Sequence, residues 1–461
     1  MDYSDLYPHQ NEMIANTRLA LRSITSGPRA VIMQGPTGVG KTVIMAAMSK
    51  GALELDKQVI STVHRHELMQ QSSKSFEKWG IPHGVIASGQ PYADEKLHIA
   101  SIMTLVRRLD KIRPPDLILI DEAHHGMAKQ WATVIKHWPN AAIVGVTATP
   151  QRLDGKGLDG LFQRLVIGPR VRWLIDNKFL SPYRLFIPPI GIDTSKIRTV
   201  LGDFDKQQLE EVVDKKTITG NAVKHYLRYA DGKRAIVFCV SIKHARNVAA
   251  EFQNNCIEAV PIYGTDPDRD EKMRKFAAGT IQVLCSVDLI SEGLDVPSVE
   301  VAILLRPTQS LAMYLQQVGR VLRYVAGKVA IILDHVGNYT RHGMPDVEHD
   351  WKLAGIPKKK GSKNDVDSGV IICEKCYCVF PPAPVCPSCG HVRETKRPPI
   401  HEVDGDLEEV LRVETAIRKK EEVKKAHSFA DLERIRMQRG YAPGWTHKLM
   451  KARQQKVWTY R

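Results

Sequence analysis

Short runs of apolar, often β-branched residues recur through the first 345 residues, with helix-patterned stretches between them. Ala30–Gln34 (AVIMQ) is one such buried-strand run, followed by a Gly-rich turn and a helix-like stretch, Thr42–Ser49. Val59–Val63, Leu97–Ile102, Leu117–Ile120 and Ala142–Val146 repeat the pattern. Strand, helix and strand at this spacing predict a parallel sheet covered on both faces. A second series follows: Ala235–Val240, Ala259–Ile262, Val283–Ser286, Val301–Leu305 and Val329–Leu333. The pattern therefore predicts two α/β units, 1–180 and 181–345. Leu180–Pro189, rich in proline and aromatics, reads as a crossing segment with a strand of its own. Beyond it the expected order is a basic linker at 346–369, a cysteine-rich module at 370–393 and a basic helical region at 394–461. No short internal repeat is present.

Composition narrows the class. The 461 residues are 43% hydrophobic and 25% charged, as in ordinary globular proteins. That excludes a collagenous, disulfide-dense or wholly disordered chain. No uncharged apolar run reaches the roughly 18 residues of a membrane-spanning helix. Met1–Gln10 is polar and lacks the basic-then-apolar order of a secretory signal. The expectation is a cytoplasmic protein with no membrane partner. Of the net charge of +15, +9 lies in residues 352–461, which hold 23 Lys+Arg and 14 Asp+Glu. A basic balance favours a polyanionic partner, nucleic acid above all, although a solvated basic surface would read the same way.

Gly35-Pro-Thr37-Gly38-Val-Gly40-Lys41-Thr42 fits the G-x-x-x-x-G-K-[ST] phosphate loop between a strand and a helix. Its glycines let backbone N–H groups close around phosphates at a helix N-terminus, where the dipole favours negative charge. Lys41 is expected to reach the β- and γ-phosphates, and the Thr42 hydroxyl to hold Mg²⁺. Leu117-Ile-Leu-Ile-Asp121-Glu122-Ala-His124 is an apolar strand delivering two carboxylates to its C-terminal end. Asp121 is the expected Mg²⁺-side carboxylate, and Glu122 the base or orienter of the attacking water.

With these motifs in this order, the chain resembles a superfamily 2 helicase across about residues 5–345. Tyr7-Pro8-His9-Gln10 is similar to the segment whose glutamine reads adenine. Val63-His64-Arg65-His66-Glu67-Leu68 and Ser101-Ile-Met-Thr104-Leu105 resemble stretches that touch the nucleic-acid backbone. Thr147-Ala148-Thr149-Pro150 resembles the motif coupling nucleotide state to strand contact. In the second unit, Ile236–Ser241 resembles the opening motif, and Gly264-Thr265 a backbone-contact loop. The segment from Ser286 to Pro297 resembles one that touches both strand and nucleotide, with Asp295 placed to contact the ribose. Gln316-Gln317-Val-Gly319-Arg320-Val-Leu-Arg323 resembles the arginine-finger motif. Two arginines three apart would share one helical face and reach the γ-phosphate from the opposite domain.

The resemblance implies two RecA-like domains with ATP between them. Lys41, Asp121 and Glu122 would come from one wall and Arg320 and Arg323 from the other. His64–Leu68, Thr147–Thr149, Gln316-Gln317 and His124 depart from the RNA-unwinding DEAD-box pattern. They look closer to DNA-directed helicases and restriction-enzyme motor subunits, in particular the bacterial and phage DEAD/DEAH type. DNA is therefore favoured over RNA, and replication, recombination or nuclease proteins are the expected partners. An RNA helicase, a motor subunit of a nuclease complex, or a binding module with a vestigial ATPase are the alternatives. The intact Lys41, Thr42, Asp121, Glu122, Arg320 and Arg323 argue against the last.

Five of the eight cysteines crowd into 17 residues. Cys373-x-x-Cys376 and Cys386-x-x-Cys389 have the spacing of two knuckles that complete a tetrahedral Cys₄ Zn²⁺ site, with Cys378 an alternative ligand and an Fe–S cluster an alternative occupant. Four thiolates leave no open position for water, so the expected role of the metal is structural. The basic residues of 429–453 (Arg434, Arg436, Arg439, Lys448, Lys451 and Arg453) could contact phosphates or simply form a solvated face.

Overall fold

The computed structural model describes residues 6–354, except 64–65, 125–127, 152–156, 188–196, 201–202, 214–215 and 289–298, together with short stretches beyond 354. By internal contacts the chain divides into two compact units, Met1–Glu409 and Val410–Arg461. The first holds both α/β domains.

The first domain is a parallel sheet of strands β1 (Ala30–Gln34), β2 (Val59–Val63), β3 (Gly84–Ile86), β4 (Leu97–Ser101), β5 (Leu117–Asp121), β6 (Ala142–Thr147) and β7 (Arg164–Ile167), ordered β3-β4-β2-β5-β6-β1-β7. Every residue of β1 and β2 is buried, because helices cover both faces. After β7 come the helix Val171–Asp176 and strand β8 (Tyr183–Ile187), which belongs to the second sheet. A small hairpin, β9 (Thr199–Val200) and β10 (Asp203–Phe204), precedes the rest of that domain. Strands β11 (Ala235–Phe238), β12 (Ala259–Ile262), β13 (Val283–Ser286), β14 (Val301–Leu304) and β15 (Ala330–Asp334) then give a parallel order β12-β13-β11-β14-β15-β8 within a seven-stranded sheet, whose edge beside β8 is the strand Glu408–Val410, in a region the sequence marked as helical. Each domain has its own apolar core, around Ile32, Ile118 and Ile143 in the first and Val237, Ile303 and Leu333 in the second.

The predicted strands are present, most with ends shifted by a residue or two. The short strands β3 and β7 were not marked by an apolar run. After the second sheet the chain returns to the first domain. Asp346 still holds the second sheet, accepting a hydrogen bond from Tyr183 of β8 (2.7 Å), and Glu348 then pairs with Arg170 (2.6 Å). Leu158 N–H donates to Leu353 O (2.7 Å), and the Leu353 side chain packs on the first core. Among the described residues no helix is long and apolar enough to cross a membrane.

Candidate nucleotide site

The site grows out of strand ends. Parallel register puts Gln34 of β1 opposite Thr147 of β6, and Val146 of β6 opposite Asp121 of β5. All three strands therefore discharge their C-terminal residues at one edge, where open parallel sheets bind ligands. The phosphate loop leaves β1 there and turns with left-handed Gly38 (φ 92°) and Gly40 (φ 88°) into the helix Lys41–Leu53. The loop is braced from behind: Gly35 N–H donates to Thr147 O (2.9 Å), and Gln34 Nε2 to Ala148 O (3.1 Å). Lys41 Nζ lies 3.3 Å from Gly35 O, folded along the loop, and Thr42 is exposed at the helix start. The Thr37 hydroxyl is buried without a hydrogen-bond partner among the described residues. A left-handed glycine loop, an ammonium folded along it and an unsatisfied hydroxyl fit a polyphosphate.

Gln10 is held against this loop. Its Nε2 donates to Val39 O (3.0 Å), and its Oε1 accepts from Tyr7 N–H (3.0 Å). Tyr7, His9, Trp173 and Phe179 form a ring cluster beside it, with Tyr7 and Trp173 exposed.

Glu122 adopts φ 47°, a left-handed backbone that is costly for a residue with a side chain. Asp121 steadies it by accepting Glu122 N–H (2.9 Å), while Ala123 N–H donates to Val146 O (3.0 Å). His124 Nδ1 lies 2.8 Å from Thr147 Oγ1 and 3.4 Å from Glu122 Oε2. The Thr147 hydroxyl donates to Thr149 O (3.1 Å), which leaves Nδ1–H of His124 as the donor to Thr147, with the Glu122 carboxylate beside the ring. The acidic strand end is thus wired to Thr147–Thr149.

The second domain presents the helix Leu311–Val321, N-capped by Ser310, whose Oγ accepts Met313 N–H (3.2 Å). A Cβ on Gly319 would stand 2.4 Å from the Thr37 Cβ, so this helix rests directly on the phosphate loop. Leu180 reaches the same loop, 2.6 Å from where a Gly38 Cβ would be. Leu180 also bridges Arg323, Ser181 N–H donates to Leu322 O (2.8 Å), and Ser181 Oγ donates to Arg323 O (3.1 Å). This pairing ends the helix at Val321. Arg320 and Arg323 therefore do not share one helical face as their spacing predicted: Arg323 sits past the helix end, in an extended bridge. Burial pulls the Arg323 guanidinium below the ordinary arginine pKa.

Lys41, Asp121 and Glu122 thus share one sheet edge, and Gln10 packs on the same loop. Arg320 belongs to the helix that touches it, and Arg323 follows that helix. The other expected residues fall elsewhere. Thr104 is half-buried in the helix Ile102–Arg107, and Thr265 is exposed in a turn after β12. Ser286 is buried, and its hydroxyl faces inward at the end of β13. Arg65, Asp295, Cys373, Cys376, Cys386 and Cys389 lie outside the described residues. Among the described residues no group of His, Cys, Asp and Glu could hold a metal ion. Sequence reasoning missed the Leu180–Ser181 clip, which is marked only by its Pro- and aromatic-rich surroundings. It also missed the role of Gly319 as a contact surface, which has no sequence signal beyond being glycine.

Residues 3–152 match the family described as type III restriction enzyme, res subunit, and 219–325 match the helicase conserved C-terminal domain. A 51.5 kDa protein of a Lactococcus phage (isolate 7-9) is 39% identical over 365 residues, covering 78% of this chain and 77% of the phage protein. A Saccharomyces cerevisiae protein named as ATP-dependent helicase IRC3 is 27% identical, covering 69% of this chain and 50% of the yeast protein. Among solved structures, a fragment named as an HsdR subunit of a type I restriction enzyme from Vibrio vulnificus YJ016 superposes with a TM-score of 0.57 at 21% identity, covering 76% of this chain and 67% of that one. The chain belongs to the superfamily 2 helicases, with a res-subunit domain followed by a helicase C-terminal domain.

Proposed function

We propose that this helicase-family chain is an ATP-driven motor on DNA. The observation that carries the reading is the packing of Gly319 on Thr37, which brings the arginine-bearing helix of one domain onto the phosphate loop of the other.

ATP is the substrate of this reading, with the adenine against Gln10 and the phosphates in the loop Gly35–Thr42. The Gly35, Thr37, Gly38 and Gly40 backbone cradles the phosphates, and Lys41 binds the β- and γ-oxygens. Thr42 and Asp121 would hold Mg²⁺, which supplies charge neutralisation on the phosphates when bound. Glu122 orients the attacking water and accepts its proton; the His124 ring fixes the carboxylate. Arg320 and Arg323 stabilise the charge that develops on the transferred phosphoryl group. Asp295 contacts the ribose. Loss of the γ-phosphate removes the group that both walls hold, so the cleft loosens and strand contacts on the two domains shift relative to each other. Arg65, Thr104, Thr265 and Ser286 are the proposed strand contacts, and Ser286 reaches a strand only if the end of β13 turns outward. DNA is preferred over RNA on the departures at His64–Leu68, Thr147–Thr149 and Gln316-Gln317.

Lys41→Ala tests the motor reading. It is expected to lower ATP turnover at least about 100-fold while DNA binding stays near wild type; unchanged turnover would overturn the reading. A second reading, the motor subunit of a nuclease complex, is favoured by the res-subunit match over residues 3–152. Copurification with a nuclease subunit would support it.

A further inference from the structure

An ion network centred on the buried Arg306 of the second domain joins two segments that the motor reading keeps separate. Arg306, just after β14, is only 6% exposed. Its Nη1 hydrogen-bonds Asp288, two residues past β13, and its Nη2 lies 3.5 Å from Asp203. Lys206 Nζ donates to the other Asp288 oxygen (2.5 Å). Burial works to raise the Asp288 carboxyl, and the Arg306 and Lys206 charges outweigh it and hold it below the ordinary range. Asp288 itself sits at φ 54°, a backbone that needs such a hold.

Asp203 carries the connection onward. It accepts the Thr308 hydroxyl (3.0 Å) and Gln309 N–H (2.7 Å). Thr308 Oγ1 in turn accepts Ser310 N–H (3.0 Å), and Ser310 caps the helix that rests on the phosphate loop. A continuous chain of charged and capped groups therefore runs from the end of β13, through Arg306, to the start of the arginine-bearing helix. A cavity of about 10 Å³ adjoins it, lined by Ser286, Asp288, Arg306 and Gln317 among others. Three buried atoms around it, Ser286 Oγ, Arg306 Nε and Gln317 Oε1, have no hydrogen-bond partner among the described residues. Unsatisfied donors and acceptors on residues that line one small space permit a second pairing at low cost. A well-packed apolar junction would not.

We propose that Arg306 is a positioning residue that transmits strand engagement at the end of β13, where Ser286 is the proposed contact, to the helix carrying Arg320. The proposal rests on the motor reading above. Arg306 does not itself reach the nucleotide. It sets where Asp288 and the helix N-terminus stand relative to each other, so its loss uncouples strand from cleft rather than disabling the cleft.

The test measures steady-state ATP turnover with and without saturating single-stranded DNA, and with duplex DNA, beside melting temperature. Arg306→Met is expected to keep basal turnover within about twofold and to lose about tenfold or more of the DNA-stimulated kcat. Arg306→Lys, which retains the charge, is expected to recover part of that loss. A general loss of structure would lower both turnovers together. If Arg306→Met does not fold, Asp203→Asn and Lys206→Met touch the same network from its more exposed side, and each is expected to lose about threefold of the stimulation. Wild-type stimulation in the folded variants would overturn the proposal. A wild-type chain that no DNA stimulates would instead sink the motor reading itself, and this one with it.

Discussion

Gly319 has no room for a side chain, because the Thr37 methyl and hydroxyl occupy the space a Cβ would take. Overpacking of this kind costs about 1–3 kcal/mol. Here the strain falls on the seam between two domains, which can relieve it by parting. Gly319→Val is therefore expected to cut ATP turnover about tenfold or more and to leave the melting temperature within a few degrees. Turnover measured beside a thermal melt checks this; full turnover would mean the seam is not the working site. Glu122 is the other residue whose environment dictates its behaviour. Its left-handed backbone is held by Asp121 and the chain hydrogen bond from Ala123, and its carboxylate faces the His124 ring. At this scale the phosphate-loop residues and the Asp121–Glu122 pair were legible, since phosphate and metal chemistry demands particular residue types at fixed spacing. Gly319 was not, because its meaning depends on a partner some 280 residues away. Nor was Arg306, a lone arginine after a strand.

Among the elements, the fully buried strands were the most legible, because parallel strands covered on both faces must be continuous apolar runs. β3 and β7 escaped notice because strands of three and four residues at a sheet edge carry too little pattern. The end of the helix Leu311–Val321 also escaped, since no glycine or proline stops it. Pairing of Leu322 and Arg323 with Leu180–Ser181 does. The end of β15 carries a buried histidine pair. His335 stacks on His225 with centroids 5.2 Å apart, and burial, aided by His225, pushes its pKa down to about 3. The fold holds His335 neutral, whereas the unfolded chain takes up a proton near pH 6.5. Its contribution is complete above that pH and drains away as pH falls from 6.5 toward 3. Between pH 7 and pH 5 the loss is about 2 kcal/mol. His335→Leu is expected to flatten the pH dependence of unfolding free energy by about that amount, as read from denaturant titrations at the two pH values. An unchanged slope would contradict the assignment.

For the whole molecule, the two domains are tied twice. The chain crosses from β7 to β8 and later returns to lay Leu353 on the first core. The crossing segment was legible as Pro- and aromatic-rich chain. The return was not, since nothing in residues 346–354 announces a docking segment. The basic region beyond 370 is the expected second anchor on DNA. Removing 370–461 should weaken DNA binding and lower its salt dependence, with a smaller effect on basal turnover. Binding titrations at two salt concentrations check this, and an unchanged affinity would free the tail from that role. Metal analysis of reduced, chelator-free protein should return about one zinc per chain, held by Cys373, Cys376, Cys386 and Cys389. On the proposed reading, the cleft between these domains is a DNA-stimulated ATPase. The most direct measurement is ATP turnover by the full chain, at matched low salt, with no nucleic acid, single-stranded DNA, duplex DNA and RNA. Low basal turnover, raised several-fold or more by DNA and less by RNA, is expected. Equal turnover in all four, or stimulation by RNA alone, would contradict that reading.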